Sequence, residues 1–308
     1  VNKKLTAHLG LLGTNLFFAI NLSAVKYLTS NNFMQPFGMN VIRVGVSVLL
    51  FWLLFLIYPS KEKIDRGDTG RFLLCALTGI AINQMLFLKG LSLTYSIHAV
   101  LLMLTTPILI TIIAAWILKE RLNIYKIAGL ALGVSGAVVL ITARQGSGSG
   151  ENVLLGDLLV LINAVSYTFY FILVKPLMLK YNPVQVIRLV FTYGLLMVLP
   201  FGWNEFVAIE WNSFGATEYT CIGLITIGGT FLAYLFNVYG IKVLGASVAG
   251  AYIYIQPVFA TIIAMIFLKE QLETYKLLAA ALIFTGVFLC NKTRETKQVS
   301  RSLDNQRK

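Results

Sequence analysis

The side chains able to do chemistry in this chain are amides, phenols and imidazoles set inside long apolar runs. Asn163, Tyr167 and Tyr170 are spaced i, i+4, i+7, so on a helix they project from one side. Tyr234 with Asn237, and Tyr252 with Gln256, share faces in the same way. The first half of the chain offers Asn15, Asn21, Asn83, Gln84 and His98. In an apolar setting every polar side chain needs a partner or water, which makes such residues the natural candidates for a pathway. The set predicts an uncharged, hydrogen-bonding cavity. Its candidate substrate-binding residues are Asn15, Gln84, His98, Asn163, Tyr167, Tyr234, Asn237, Tyr252 and Gln256. Any one Asn or Gln could instead bond a neighbouring helix, an interaction worth about 0.6 kcal/mol on average. The convergence of several faces favours a binding site.

Catalysis finds little support. His8 and His98 are the only histidines, and no nucleophile has a neighbouring base. Cys75, Cys221 and Cys290 lie in apolar runs without metal-ligand spacing and read as small buried hydrophobes. No cofactor or metal is expected. No Asp or Glu falls near the middle of an apolar run, since Asp157 stands at the start of one and Glu120 and Glu270 at junctions. The expectation is facilitated diffusion or exchange, with His98 as the residue for any proton linkage. Arg43 and Arg188 sit about seven residues into their runs, where they could recognise an anion or snorkel to the interface; the sequence favours snorkelling. Gln256 and Thr106 each precede a proline, Pro257 and Pro107, which frees a backbone carbonyl and predicts a kink.

The elements that position these groups follow from composition. Of 308 residues 57% are hydrophobic and only 12% charged, with a mean hydropathy of +0.78. A soluble protein carries about 25% charged residues, so the bilayer is this chain's solvent. The net charge of +12 comes from basic residues that flank apolar segments and form no nucleic-acid patch. A helix crosses the hydrocarbon with about 20 apolar residues. Ten such spans are predicted, at 7–27, 36–58, 71–89, 97–118, 125–142, 155–175, 184–202, 218–240, 246–268 and 275–292. The first reads as a retained span, because no small-residue cleavage site follows it. With both termini cytoplasmic, nineteen basic residues fall inside and five outside, with Arg43 within a span; that asymmetry orients the chain. Trp52, Trp116, Trp203 and Trp211, near span ends, read as interfacial anchors.

An internal repeat organises the spans. At an offset of 150 the segments 107–126 and 257–276 agree at about half of their positions, sharing Pro, Thr, Ile-Ile-Ala, Leu-Lys-Glu, Leu and Tyr-Lys. Gly90 pairs with Gly240 and Gly136 with Gly286, and Val41-Ile42-Arg43 recurs as Val186-Ile187-Arg188. Five is odd, so a second five-span copy must enter the membrane from the opposite face, giving an inverted repeat. The expected fold is an all-α integral membrane protein of ten transmembrane helices in two inverted five-helix repeats. Its divisions are a first repeat at 1–145, an outer linker at 146–154 holding Gly146-Ser147-Gly148-Ser149-Gly150, a second repeat at 155–292 and a disordered cytoplasmic tail at 293–308.

The Pro of each fourth span, followed about twelve residues later by Leu-Lys-Glu-x-Leu, makes the chain similar to the EamA-like permeases of the drug/metabolite transporter superfamily. In that family the residue before the Glu is often Gly, whereas both copies here carry Lys, Lys119 and Lys269. The resemblance covers nearly the whole chain. It implies a multi-pass carrier of the bacterial inner membrane, exporting amino acids or related small metabolites. It also implies a cavity between the halves, lined by spans 1, 3, 4, 6, 8 and 9. Sugar, nucleotide-sugar and multidrug transporters of the same plan are the alternative. The expected partners are a small-molecule substrate and the lipid bilayer, with no nucleic acid, and the chain would work as a monomer or weak dimer.

Overall fold

A computed structural model describes residues 3–59, 62, 64–106, 108–109, 113, 124–142, 152–244, 252, 255–286 and 288–289. Among these residues the structure is helical, without strands. In chain order the helices are α1 (Lys3–Ser30), α2 (Pro36–Ile57), α3 (Arg66–Leu93), α4 (Ser96–Met103), α5 (Ile124–Thr142), α6 (Val153–Lys180), α7 (Pro183–Val207), α8 (216–244), α9 (Gln256–Phe267) and α10 (Thr274–Gly286). Six segments are long and apolar enough to cross a membrane: α1, α2, α3, α6, α7 and residues Ala216–Asn237 of α8. The shorter α4, α5, α9 and α10 fall where spans four, five, nine and ten are expected. The junctions with Pro107 and Lys119-Glu120, Trp116, Cys290, the Gly146–Gly150 linker and the tail from 291 lie outside the described residues.

Starts and stops are readable locally. Pro36 and Pro183 occupy the first turns of α2 and α7, where a missing N–H leaves no bond unmade. Asn152 and Asn182 cap α6 and α7, accepting from the amides of Leu155 and Val184. Lys269, after α9, has φ +55°, in the left-handed region that favours glycine. This is the motif position at which the resembling family often has Gly, and the local backbone supplies the reason.

Contacts between the halves come in pairs that exchange under the repeat. α1 packs on α8 as α6 packs on α3; α1 meets α9 as α6 meets α4; α2 meets α8 as α7 meets α3. The equivalent helices α2 and α7 touch each other, and so do α4 and α9. Small residues allow these approaches, since lipid supplies no hydrophobic drive between helices and packing must do so. A Cβ at Gly38 would lie 2.7 Å from the Glu205 backbone carbon, and one at Gly202 would lie 2.5 Å from the Phe37 carbonyl. The start of α2 thus lies on the end of α7, and the two run antiparallel. Gly286 against Gly129 and Gly133, with Gly136 against Ala279, gives α5 and α10 the same antiparallel seam.

Two segments of π-helix interrupt the regular winding, Leu77–Ala81 in α3 and Leu224–Leu232 in α8. They fall at matching places in the repeat, with Gly79 and Gly229 separated by the same 150 positions as Gly90 and Gly240. A Cβ at Gly79 would strike the Tyr170 ring of α6, and one at Gly229 would lie 2.6 Å from Asn21 of α1.

Two substitutions test this packing. Gly38→Ala is expected to lower stability by about 1–3 kcal/mol, because the atoms in the way are backbone and cannot rotate aside. Gly70→Ala, with nothing within 4 Å, is expected to leave the melting temperature unchanged or slightly raised. Thermal denaturation of the purified protein in detergent distinguishes them, and equal losses would contradict the seam. Lys269→Gly should raise the melting temperature, as it relieves a left-handed conformation that costs about 1–2 kcal/mol for a residue with a side chain.

Candidate functional site

The candidate residues separate into three places. At one end of the bundle, His98 at the start of α4 lies 3.0 Å from Asp157 of α6 through Nδ1 and 3.1 Å from the Tyr275 hydroxyl through Nε2. Thr94 donates to the other Asp157 oxygen. Both His98 and Asp157 are 0% exposed. With the ring N–H donating to the carboxylate, a neutral imidazole leaves Nε2 to accept from the phenol. His98 is therefore fully partnered, by residues of the other half. This differs from the sequence reading in one respect. Asp157 stands near the start of its helix, as expected, yet it is a buried carboxylate with a specific partner, because the α3–α4 turn and α10 close over it.

The same end gathers further charge. Glu270 accepts from the amides of Ser96 at 2.8 Å and Ile97 at 3.1 Å, satisfying the first turn of α4. Lys26 of α1 donates to the carbonyls of Leu91, Ser92 and Thr94, where α3 ends, the shortest bond being 2.6 Å. Lys26 and Glu270 also border a depression of about 300 Å³ with Tyr27, Ser30, Asn31, Phe267 and Leu268. None of the candidate binding residues lines it.

A second group serves the helix contacts. Asn163 donates to the Asn83 carbonyl at 2.7 Å, and Asn83 returns a longer bond, at 3.4 Å, to the Asn163 carbonyl. Asn15 bonds the Leu11 carbonyl of its own helix. Tyr252 sits 2.7 Å from His8 Nδ1, which joins α1 to the stretch before α9. Asn163 thus bonds a neighbouring helix, whereas the bond of Asn15 is within its own. Gln256 opens α9 and Asn237 lies in α8, both half-buried.

The third group meets in the interior. Tyr167 and Tyr170 of α6 stack with ring centroids 5.8 Å apart, and both lie within electrostatic reach of Tyr234 in α8. Tyr234 packs edge-on against Phe191 of α7 and Phe18 of α1. Gln84 of α3 is buried, and neither its amide nitrogen nor its oxygen has a partner among the described residues. Among the described residues Gln84 keeps spare hydrogen-bonding capacity, and Tyr167 and Tyr234 stand among aromatic residues.

Arg43 belongs with them. It does not snorkel. It is 6% exposed, turned into the bundle, and its Nε donates to Thr230 in the π-helical segment of α8 at 2.8 Å. It lies close enough to Tyr234 to interact electrostatically. One guanidinium nitrogen, Nη1, is buried without a partner among the described residues. Asn40 and Ser47 share its helix face at i−3 and i+4, and both amide atoms of Asn40 are also unpartnered. Gly229, beside Thr230, is pressed by Asn21, whose Oδ1 is a further unpartnered acceptor. Buried polar atoms without partners cost about 1–3 kcal/mol each and call for an explanation. The missed signal was the Asn40, Arg43, Ser47 spacing on an otherwise apolar helix. Arg188, the repeat counterpart, is instead stacked over Trp52 at 4.2 Å and Phe55 at 3.6 Å, so Trp52 serves as a cation–π partner.

The family description that matches this sequence is the EamA-like transporter family, over residues 5–142 and again over 154–292. The chain belongs to the EamA-like transporter family. It is a multi-pass membrane transporter with two family repeats. The uncharacterized transporter YetK of Bacillus subtilis is 25% identical over 79% of this chain and 74% of its own length. YoaV of the same organism, also an uncharacterized transporter, is 24% identical over 94% and 98%. A "Probable terminal-alkyne amino-acid exporter" of Streptantibioticus cattleyicolor is 28% identical over 73% and 74%. A solved crystal structure shares the fold, with a TM-score of 0.61 across 92% of this chain and 96% of the other at 19% identity.

Removing one member of the His98–Asp157 pair leaves a buried hydrogen-bonding atom of the other unsatisfied. Asp157→Ala is expected to destabilise by about 1–3 kcal/mol. Adding His98→Ala should cost much less than a second such loss, and thermal melting of the two single variants and the double variant measures the coupling. Strictly additive losses would show that the pair does not act as a unit.

Proposed function

We propose that the protein is an inner-membrane carrier that exports amino acids or related small metabolites by alternating access. In this reading ten spans form two inverted five-helix repeats with both termini cytoplasmic, and the carrier acts as a monomer or weak dimer. The observation that carries it is the antiparallel contact of equivalent helices, α2 with α7 and α5 with α10. Helices related by an axis along the membrane normal would run parallel, whereas an axis in the membrane plane turns one copy over. The exchangeable contact pairs, α1·α8 with α6·α3 and their companions, support the same axis. So do the matched π-helical segments, a feature found frequently at functional sites.

The cargo would sit where α3, α6 and α8 present Gln84, Tyr167 and Tyr234. The probable amino-acid exporter among the relatives supports the substrate class. His98 and Asp157, joined across the halves at one end, would then act as a latch that holds this end shut in the conformation described. Such latches restrict access to one side at a time.

Counterflow in proteoliposomes loaded with amino acids tests the proposal, with sugars and nucleosides in parallel. Saturable, stereoselective amino-acid exchange is the expected outcome, and exchange of sugars or nucleosides alone would replace the substrate class. Tyr234→Phe and Gln84→Ala should each reduce exchange about tenfold, the effect of one buried hydrogen bond worth about 1.4 kcal/mol. Their melting temperatures should stay within a few degrees of wild type, which separates a lost contact from a lost fold.

A further inference from the structure

Among the described residues the interior of this protein contains a buried cation without an anion. Arg43 stands about seven residues inside α2, and none of the ion pairs among the described residues includes it. Among the described residues its side-chain bond is to a neutral hydroxyl, that of Thr230. A phenol, that of Tyr234, lies within electrostatic reach. The second intramembrane arginine, Arg188, also has a buried Nε without a hydrogen-bond partner among the described residues, but its guanidinium lies over two aromatic faces, so the sequence repeat does not by itself demand a guanidinium without such cover here. Two other polar groups near it in the chain or the fold are also left with spare capacity among the described residues: the Asn40 amide on the same helix face, and Asn21 Oδ1 against Gly229.

A guanidinium presents its N–H groups as a planar fork that matches the two oxygens of a carboxylate. Here the fork is half used. Nε is committed to Thr230, which fixes the plane, while Nη1 is buried and open. Neutral amides and phenols around it can accept from an ammonium, and accept from or donate to a hydroxyl, without competing for the cation. We propose that Arg43 is the carboxylate-recognition residue of the transport site, and that the cargo is therefore a small acid or zwitterion carrying one carboxylate. This assignment rests on the carrier reading above and narrows it. A lone guanidinium suits a single carboxylate better than a diphosphate, which would call for several basic groups. The placement in α2 departs from the cavity that the family resemblance implies. It arises because the π-helical segment of α8 brings Gly229 and Thr230 to face Asn21 and Arg43 at consecutive positions.

The test uses full-length protein purified in detergent. Melting temperature is recorded alone, with each of a panel of L-α-amino acids, with the matching amino-acid amides, and with inorganic phosphate. At least one amino acid should raise the wild-type melting temperature by several degrees, its amide and phosphate leaving it unmoved. Arg43→Gln should weaken that amino acid at least tenfold, and Arg43→Lys should restore part of the loss. Arg43→Met without ligand should melt at or above wild type, since it removes a buried charge that no carboxylate balances; a structural arginine would give the opposite. Stabilisation by amides or phosphate equal to that by acids, an acid preference that survives Arg43→Gln, no response to any acid, or a marked fall in Arg43→Met would each overturn the assignment. Counterflow separates it from the carrier reading. Exchange absent with acid-specific stabilisation intact removes the carrier and keeps the site, whereas exchange that persists with its acid preference in Arg43→Gln removes the site alone.

Discussion

Helix ends set the strictest condition on this fold. The first amides and last carbonyls of a helix have no partner within it, and in or near hydrocarbon there is little water to replace one. The chain meets the condition with charged side chains reaching across from other elements. Glu270 takes the opening amides of α4, and Glu205, near the end of α7, takes those of Phe37 and Gly38 at 2.7 and 2.9 Å at the start of α2. Lys26 takes the closing carbonyls of α3. Both carboxylates come from the second repeat and serve helices of the first. The fold of one half is thereby completed by the other, and the signs follow the helix dipole, negative at the start and positive at the end.

The Leu-Lys-Glu motif acquires a physical meaning in this light. Its Lys269 turns the chain through a left-handed residue, and that turn carries Glu270 back to the α4 amides. The motif is a bracket between repeats, and its position next to a fourth-span proline follows from the contact of α4 with α9. The interior of the bundle works by the opposite rule. There both amide atoms of Asn40 and Gln84 and one guanidinium nitrogen of Arg43 have no partner among the described residues, whereas the helix ends named above are satisfied across the bundle. That contrast is what marks the interior as a place built for something else.

The helices themselves were legible from apolar runs and flanking charge, and the repeat from the offset of 150. Partners across the bundle were not. Asn163 and Tyr167 share a face by spacing, but only packing decides that the first meets Asn83 and the second the aromatic interior. His98 and Asp157 are 59 residues apart, and each alone reads as a terminal polar residue; burial and pairing follow from the way α10 and the α3–α4 turn cover them. Arg43 was placed at the right depth and turned the wrong way. A long side chain at that depth can reach either the interface or the bundle, and periodicity along one helix does not say which neighbour stands beside it.

The antiparallel seam of α2 on α7 has a mechanical consequence. Where Gly38 lies on the Glu205 backbone and Gly202 on the Phe37 carbonyl, main chain touches main chain, and no flexible side chain stands between to take up slack. Such a joint cannot stretch a little; it is either made or broken. If the halves swing, this line is the natural fulcrum, and the widening must occur on the far side of it, where aromatic rings and long polar groups can rearrange as the walls part.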